Sequence, residues 1–169
     1  MKHVLLIMAL CFFSFNASAT PIPAEKGQQY YRNCMATPDA RLLPGTQDPF
    51  CQCTAKYMMQ NMTMEDLVGM KKQDRAAMNK MIIGVYSPCL EYPVHDDVYQ
   101  ACAKQGVPSA TCQCLASNLG KYTATEAVRL IGGVLDKYPN AFDPLAAIKQ
   151  TPEFEKQSEA IARQCAQTK

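Results

Sequence analysis

The sequence predicts an all-α, disulfide-stabilised protein built from two tandem cysteine-containing repeats. Three observations lead to this prediction. Cysteines occur twice in the order C…C-Q-C…C, apolar residues recur at helical spacing, and no convincing alternation of apolar and polar residues indicates a strand. The first set of cysteines is Cys34, Cys51, Cys53 and Cys89, and the second is Cys102, Cys112, Cys114 and Cys165.

Residues 1–19 have the features of a secretory signal peptide. Lys2 precedes an apolar run over residues 4–15, and the small residues of Ala-Ser-Ala at 17–19 fit a cleavage site after the last of them. The run has about a dozen residues, whereas a membrane-spanning helix needs roughly 20. Cys11 lies in the middle of this run, which does not favour lipidation. We therefore expect a secreted or periplasmic protein with no stable membrane anchor after cleavage.

Composition narrows the possible functions. The chain has 17 basic and 15 acidic residues and no basic cluster, so we expect no nucleic-acid partner. The cysteines that follow the signal peptide are even in number, and an exported chain meets an oxidising environment, so we predict structural disulfides. No glycine-rich phosphate loop and no paired nucleophile and base are evident. We therefore expect a non-enzymatic protein without a cofactor or metal ion.

The two halves of the chain share more than their cysteines. Phe-Cys-Gln-Cys-Thr-Ala over residues 50–55 matches Thr-Cys-Gln-Cys-Leu-Ala over residues 111–116. We interpret this as an internal duplication, with the first repeat at 20–92 and the second at 93–169. The junction falls near Pro93, since the residue before a proline disfavours helix.

The pairing of the cysteines can be narrowed to two patterns. If each half pairs internally and identically, Cys34 bonds either Cys51 or Cys53, and the other CQC cysteine bonds Cys89. A bond within CQC would close a small strained ring, so we discount it. The sequence leaves both remaining patterns open. The second half would copy either pattern with Cys102, Cys112, Cys114 and Cys165.

Several local patterns predict where helices begin. Thr63-Met-Glu-Asp66 and Thr123-Ala-Thr-Glu126 each place a hydroxyl three residues before a carboxylate, which is typical of a capped helix start. Thr151-Pro152-Glu153 predicts the start of a last helix. One amphipathic stripe runs through Ala127, Leu130, Ile131, Val134, Leu135 and Tyr138.

Methionines are concentrated in the first half, where seven of the ten lie between residues 58 and 81. When the halves are aligned, Met58 corresponds to Leu119 and is therefore expected in the core. Three others correspond to Gly120, Thr123 and Thr125, which are not typical core residues. Exposed methionines form adaptable binding surfaces. We therefore predict that a partner is contacted by Met59, Met62 and Met64.

The leading functional hypothesis is an exported binding or structural protein that holds a protein or an apolar ligand, with the surface between the halves as the natural groove. The alternative is a periplasmic copper- or thiol-handling protein, because closely spaced cysteines and methionines can bind soft metals. A hydrolase that uses carboxylates ranks last, since no spacing singles out an acidic pair. His95 is the one histidine after the signal peptide, and we expect it on an exposed flank before a helix.

Overall fold

The computed structural model describes residues 19–138 and 143–167, and the predicted signal peptide therefore lies outside the described residues except for its last position. Most of the described chain is helical, and its one β-type contact is an isolated bridge between Pro21 and Thr63. The all-α prediction is confirmed. The α-helices are α1 (Ala24–Ala36), α2 (Pro44–Asn61), α3 (Met64–Lys71), α4 (Arg75–Met81), α5 (Glu91–Lys104), α6 (Ser109–Lys137), α7 (Pro144–Lys149) and α8 (Pro152–Gln167), with a π-helical turn at Ile82–Tyr86 and a 3-10 turn at Ser87–Cys89 between α4 and α5.

Four disulfides join these elements in the same order in both halves. The first cysteine of each CQC bonds the helix before it, and the second bonds a segment that follows later in the chain. This selects one of the two patterns that the sequence leaves open. The bonds are Cys34–Cys51 and Cys53–Cys89 in the first half and Cys102–Cys112 and Cys114–Cys165 in the second. Such bonds indicate an oxidising environment, extracellular or periplasmic.

Each half opens with two antiparallel helices that are held by the same kind of hydrogen bond. In the first half, Tyr31 Oη donates to Asp48 Oδ1 over 2.6 Å. In the second half, Tyr99 Oη and Ser109 Oγ are 3.1 Å apart. Both tyrosines lie three residues before the first cysteine of their half, and both partners lie three residues before CQC. These bonds support the proposed duplication, which stays an interpretation.

Buried apolar side chains form two clusters. The larger packs α5, α6, α7 and α8 together, and the smaller packs the first half around α2 and α4. Met58 and Leu119 are both 2% exposed, so the core position predicted for Met58 is confirmed. The smaller cluster contains Ile22, Met58, Met62, Met81 and Val85.

Two of the three predicted helix starts are confirmed. Thr63 Oγ1 accepts from Asp66 N over 3.2 Å, and Asp66 Oδ2 accepts from Thr63 N over 2.8 Å. Thr151 Oγ1 accepts from Phe154 N over 3.2 Å at the start of α8. The start predicted at Thr123 is wrong, because α6 continues through it and its hydroxyl donates back to Leu119 O over 2.8 Å.

A contact with the N-terminal segment explains why the first half breaks its helix where the second half does not. Thr63 is extended and bridges Pro21, and Met64 N donates to Thr20 O over 2.9 Å. This extended pairing ends α2 at Asn61. The second half has no corresponding segment beside Thr123 in the described chain, and α6 runs on.

The junction between the halves is helical. Helix α5 begins at Glu91, so Pro93 lies in its first turn. A proline is tolerated there because the first N–H groups of a helix have no partner within the helix. The expectation that this segment disfavours helix is therefore wrong.

Candidate ligand-binding grooves

A groove bordered by α1, the start of α2 and the π-helical turn is the first candidate site. It encloses about 440 Å³ and includes side chains from both halves of the chain. The sequence predicts a ligand groove at the surface between the halves, and that assignment stays a prediction. We name the observed groove the first groove, and its walls include Tyr30, Asn33, Phe50, Ile82, Tyr86 and Leu145.

Three aromatic rings form one wall of the first groove. The centroids of Phe50 and Tyr86 are 6.4 Å apart, and their planes differ by 25°. Tyr30 Oη donates to Tyr86 Oη over 3.5 Å. Burial raises the pKa of the Tyr30 phenol well above its ordinary value, so this group is neutral at physiological pH. The wall therefore offers flat apolar faces with uncharged hydroxyl groups beside them.

The π-helical turn Ile82–Tyr86 brings two side chains into the first groove, one from each of its ends. Polar side chains satisfy backbone carbonyls in this turn. Ser87 Oγ donates to Ile82 O over 3.0 Å, and Asn61 Nδ2 donates to Gly84 O over 2.6 Å. π-Helical turns often occur at functional sites, so this turn is a further reason to consider the first groove as a candidate site.

An ion-pair cluster forms the polar rim of the first groove. Arg41 Nη2 lies 2.7 Å from Asp39 Oδ2, and Arg41 Nη1 lies 3.0 Å from Asp143 Oδ2. The Arg41 guanidinium holds the pKa of Asp39 below its usual range. Arg41 belongs to the first half and Asp143 to the second, so the rim joins the halves across the mouth of the groove.

Two buried polar side chains fix the loop between α1 and α2, which carries part of this rim. Gln47 Nε2 donates to Cys34 O over 2.8 Å, and Gln47 Oε1 accepts from Asp39 N over 3.3 Å. Asp96 of α5 is fully buried, and its Oδ2 accepts from Leu43 N over 2.7 Å. The second half therefore caps the start of α2.

A second groove lies between α5, α6 and α8. It encloses about 410 Å³, and Leu119 and Phe154 form much of its buried floor. Asp97 and Lys149 lie at one end, where Lys149 Nζ is 2.5 Å from Asp97 Oδ2. We name it the second groove, and its walls include Val98, Ala101, Thr111, Leu115, Ser158 and Ala162.

The two grooves occupy equivalent positions in the two halves. Five residues that line the first groove each have a counterpart in the second groove at the same number of residues before the matched cysteine. At three of these positions the first groove has an aromatic ring where the second has valine, threonine or alanine. The matched pairs are Tyr30 and Val98, Asn33 and Ala101, Phe50 and Thr111, Ile82 and Ser158, and Tyr86 and Ala162.

The three methionines predicted to bind a partner do not line either groove. Met59 is 38% exposed and lies in a shallow apolar depression beside Gly27. Met64 is partly buried. Met62 is 3% exposed, so the expectation that it lies outside the core is wrong. Its side chain packs in the smaller apolar cluster just after α2 ends, and its aligned residue Thr123 is buried within α6. A binding role for Met59 and Met64 stays a prediction.

His95 lies within α5 and is partly buried, so the expected exposed position before a helix is wrong. Its Nδ1 is 2.9 Å from Asp96 Oδ1, and its Nε2 is 3.1 Å from Gln113 Nε2. The imidazole ring also stacks on Tyr99, with 6.4 Å between centroids. These contacts place His95 in the interface between α5 and α6.

The cysteines after the signal peptide are all engaged in disulfides, so none of them offers a free thiol in this structure. Among residues 19–138 and 143–167, no group of three or more His, Cys, Asp or Glu side chains is arranged to hold a metal ion. Within the same ranges, no helix combines the length and apolar character needed to cross a membrane. No protein-family model, curated protein or solved structure matches this chain.

The sequence alone does not predict the residues of either groove. Phe50 aligns with Thr111, but this pair indicates only the duplication. The available signal was the change in side-chain size at such aligned positions. An aromatic residue that aligns with a small residue of the other half marks a position where the walls of the two grooves differ.

Proposed function

We propose that this protein is an exported, non-enzymatic binding protein that holds a small, flat, apolar ligand in the first groove. The main support for this proposal is the wall of three aromatic rings, which lies in a groove that includes side chains from both halves. The signal-peptide features of residues 1–19 and the four disulfides support export.

Aromatic walls favour a flat ligand on energetic grounds. A ring that buries about 150 Å² of apolar surface gains about 4 kcal/mol before the costs of association. Stacking on another ring adds about 0.5–1.5 kcal/mol. The neutral phenol of Tyr30 can also hydrogen-bond a polar edge of the ligand without an unpaired charge being buried.

The disulfides support a preformed groove. Cys34–Cys51 fixes α1 against α2, and Cys53–Cys89 fixes the turns that carry Tyr86 against α2. A wall that is already ordered loses little conformational entropy when the ligand binds, and this loss otherwise reduces affinity.

The charges of the first groove fit binding better than proton transfer. Arg41 and Asp143 are exposed at the rim, Asp39 is half-buried, and both carboxylates pair with Arg41. Burial raises the pKa of the Tyr30 phenol, so it gives up its proton even less readily than an ordinary tyrosine. The groove therefore offers a ligand apolar faces and paired charges, which suits retention of the ligand without chemical change.

The proposal is tested with N-phenyl-1-naphthylamine, a neutral aromatic probe whose fluorescence rises in apolar sites. Asn33 is exposed on the wall of the first groove, so Asn33→Trp should obstruct the groove without disturbing the core. We expect the affinity for the probe to fall at least ten-fold. Arg32→Trp is the matched control at the adjacent exposed position, and it should bind like the parent. Equal affinities for the parent and both variants, or no binding by the parent, would contradict the proposal.

A further inference from the structure

The second groove has the shape of an open apolar slot. At the five positions equivalent to those of the first groove it carries small or short side chains, and the floor beneath them is apolar. No aromatic ring occupies its matched wall positions, so no flat face is available there for stacking. The members of this small wall are Val98, Ala101, Thr111, Ser158 and Ala162.

Three helices border the slot, and both α5 and α8 run antiparallel to α6. Its α5 wall extends from Asp97 to Gln105, a rise of about 12 Å at 1.5 Å per residue. The α8 wall extends from Phe154 to Cys165 in the opposite direction along α6, since Cys165 bonds Cys114 and Glu153 contacts Tyr122. A slot of this length with apolar walls fits an alkyl chain better than a ring.

One end of the slot is charged. Asp97 and Lys149 are the charged residues among the side chains that line it, and they pair with each other. The Lys149 ammonium has three donors on a flexible stem, and Asp97 accepts one of them. The remaining donors can bind a second anion while the pair with Asp97 stays intact.

We propose that the second groove is a separate binding site for a single-chain anionic amphiphile, with the alkyl chain along the slot and the anionic head at Lys149. The chain lies between Ala101 of α5 and Ala162 of α8, over Leu119 and Phe154. The head remains at the end of the slot, in water. This site does not depend on the ligand of the first groove, because the two grooves have no lining residue in common.

Chain length provides the first test. Sodium octanoate, decanoate and dodecanoate are titrated into the full protein below their micelle concentrations, with heat of binding as the measurement. Burial of each methylene should increase affinity about four-fold until the slot is full. Equal affinity across the series would overturn the proposal.

Location is tested with a matched pair of substitutions on α5. Ala101→Phe should fill the slot and weaken decanoate binding at least ten-fold, whereas Ala103→Phe on an exposed face outside the groove should have no effect. If circular dichroism shows that Ala101→Phe does not fold, Thr111→Trp at the slot serves instead. Asn33→Trp should bind decanoate like the parent. Loss of decanoate binding in Asn33→Trp, or equal binding by the two α5 variants, would place the chain elsewhere and overturn the proposal.

The head group is tested by charge. Decanoate should bind about two- to five-fold more tightly than decanol, since an exposed ion pair contributes this much. Lys149→Gln should remove that difference, and Asp97→Asn should increase it because the competing carboxylate is gone. Decylammonium that binds more tightly than decanoate would overturn the assignment of an anionic head.

Discussion

The two grooves differ in the side chains of their walls, whereas the helices and bonds that border them are arranged alike. Both are bordered by a helix hairpin that is closed by a disulfide and by a tyrosine hydrogen bond at equivalent positions. Their five matched wall positions carry three aromatic rings, an isoleucine and an asparagine in the first groove, and valine, threonine, serine and two alanines in the second. The disulfide-bonded cysteines therefore fix the helices that border a groove, and the side chains near them in the sequence determine what the groove can hold.

A second comparison concerns how closely the helices of each hairpin approach. In the first half, Gly27 of α1 makes room for Met59 of α2. In the second half the sizes are exchanged, because Gly120 of α6 makes room for His95 and the backbone of Glu91 on α5. One glycine at the contact is enough for the two helices of a hairpin to pack closely, and either helix can provide that glycine.

Removal of a disulfide should have the largest effect, and the effect should differ between bonds. Cys114–Cys165 spans 51 residues, whereas Cys102–Cys112 spans 10. Loop entropy predicts losses of about 4 and about 3 kcal/mol in the free energy of unfolding when each pair is changed to alanine. Urea denaturation measures both. A smaller loss for the longer loop would show that native contacts, and not chain entropy, determine the order.

The exchanged glycines provide the next test. A Cβ at Gly120 would lie 2.9 Å from the Glu91 carbonyl oxygen, which is backbone and cannot move cheaply, so Gly120→Ala should destabilise by about 2 kcal/mol. A Cβ at Gly27 would lie 2.2 Å from Met59 Sδ, which can rotate away. Gly27→Ala should therefore be nearly neutral, since alanine also favours helix by about 1 kcal/mol. Thermal melts that show equal losses would contradict the comparison.

Asp96 tests how far the halves depend on each other. Its carboxylate accepts from Leu43 N in the first half and lies 2.9 Å from His95 Nδ1. Asp96→Ala should cost about 2 kcal/mol, because two polar groups lose their acceptor in a buried site. Gln28 occupies the equivalent position of the first half and is exposed, so Gln28→Ala is the control and should change stability by less than about 0.5 kcal/mol. Equal melts for the two variants would show that Asp96 does not secure α2.

The smallest change in stability is expected at the polar rim of the first groove. Arg41→Gln should reduce the free energy of unfolding at pH 7 by less than about 1 kcal/mol, because the ion pairs are exposed. The guanidinium lowers the pKa of Asp39 in the folded state, so this contribution is present above the unfolded value of about 3.9 and is lost as pH falls below it. Parent and variant stabilities should converge in acid. A difference that persists at pH 2 would contradict this origin.

The sequence was sufficient to predict the all-α fold and the disulfide bonding within each half. The spacing of the cysteines is enough to predict two internally bonded halves, and the hydroxyl–carboxylate pattern at Thr63 is enough to predict a capped helix. The same pattern at Thr123 does not mark a helix start, because a threonine caps a helix only where the residues before it leave the helical conformation. At Thr63 the contacts with Thr20 and Pro21 hold the chain extended. Thr123 has no such contacts in the described chain, and the helix continues through it. Local patterns therefore predict a cap only where tertiary contacts allow it.

Burial and the groove walls were harder to predict. Met62 aligns with Thr123, whose polarity suggested a surface position, yet its hydroxyl is satisfied by Leu119 O and it is buried. The choice between the two disulfide patterns depends on how the hairpin helices are rotated, which spacing does not encode. Each groove combines a helix hairpin with a segment much later in the chain, so only the three-dimensional arrangement brings the walls together.

The most direct test of two independent grooves is a competition measurement. N-phenyl-1-naphthylamine is bound to the full protein, and sodium decanoate is added to saturation below its micelle concentration while probe fluorescence is followed. We expect the fluorescence of the bound probe to stay constant, because the flat ligand and the alkyl chain occupy two grooves with no lining residue in common. A fall to the level of free probe, with a midpoint at the decanoate dissociation constant, would show a single shared site and contradict the assignment of two separate grooves.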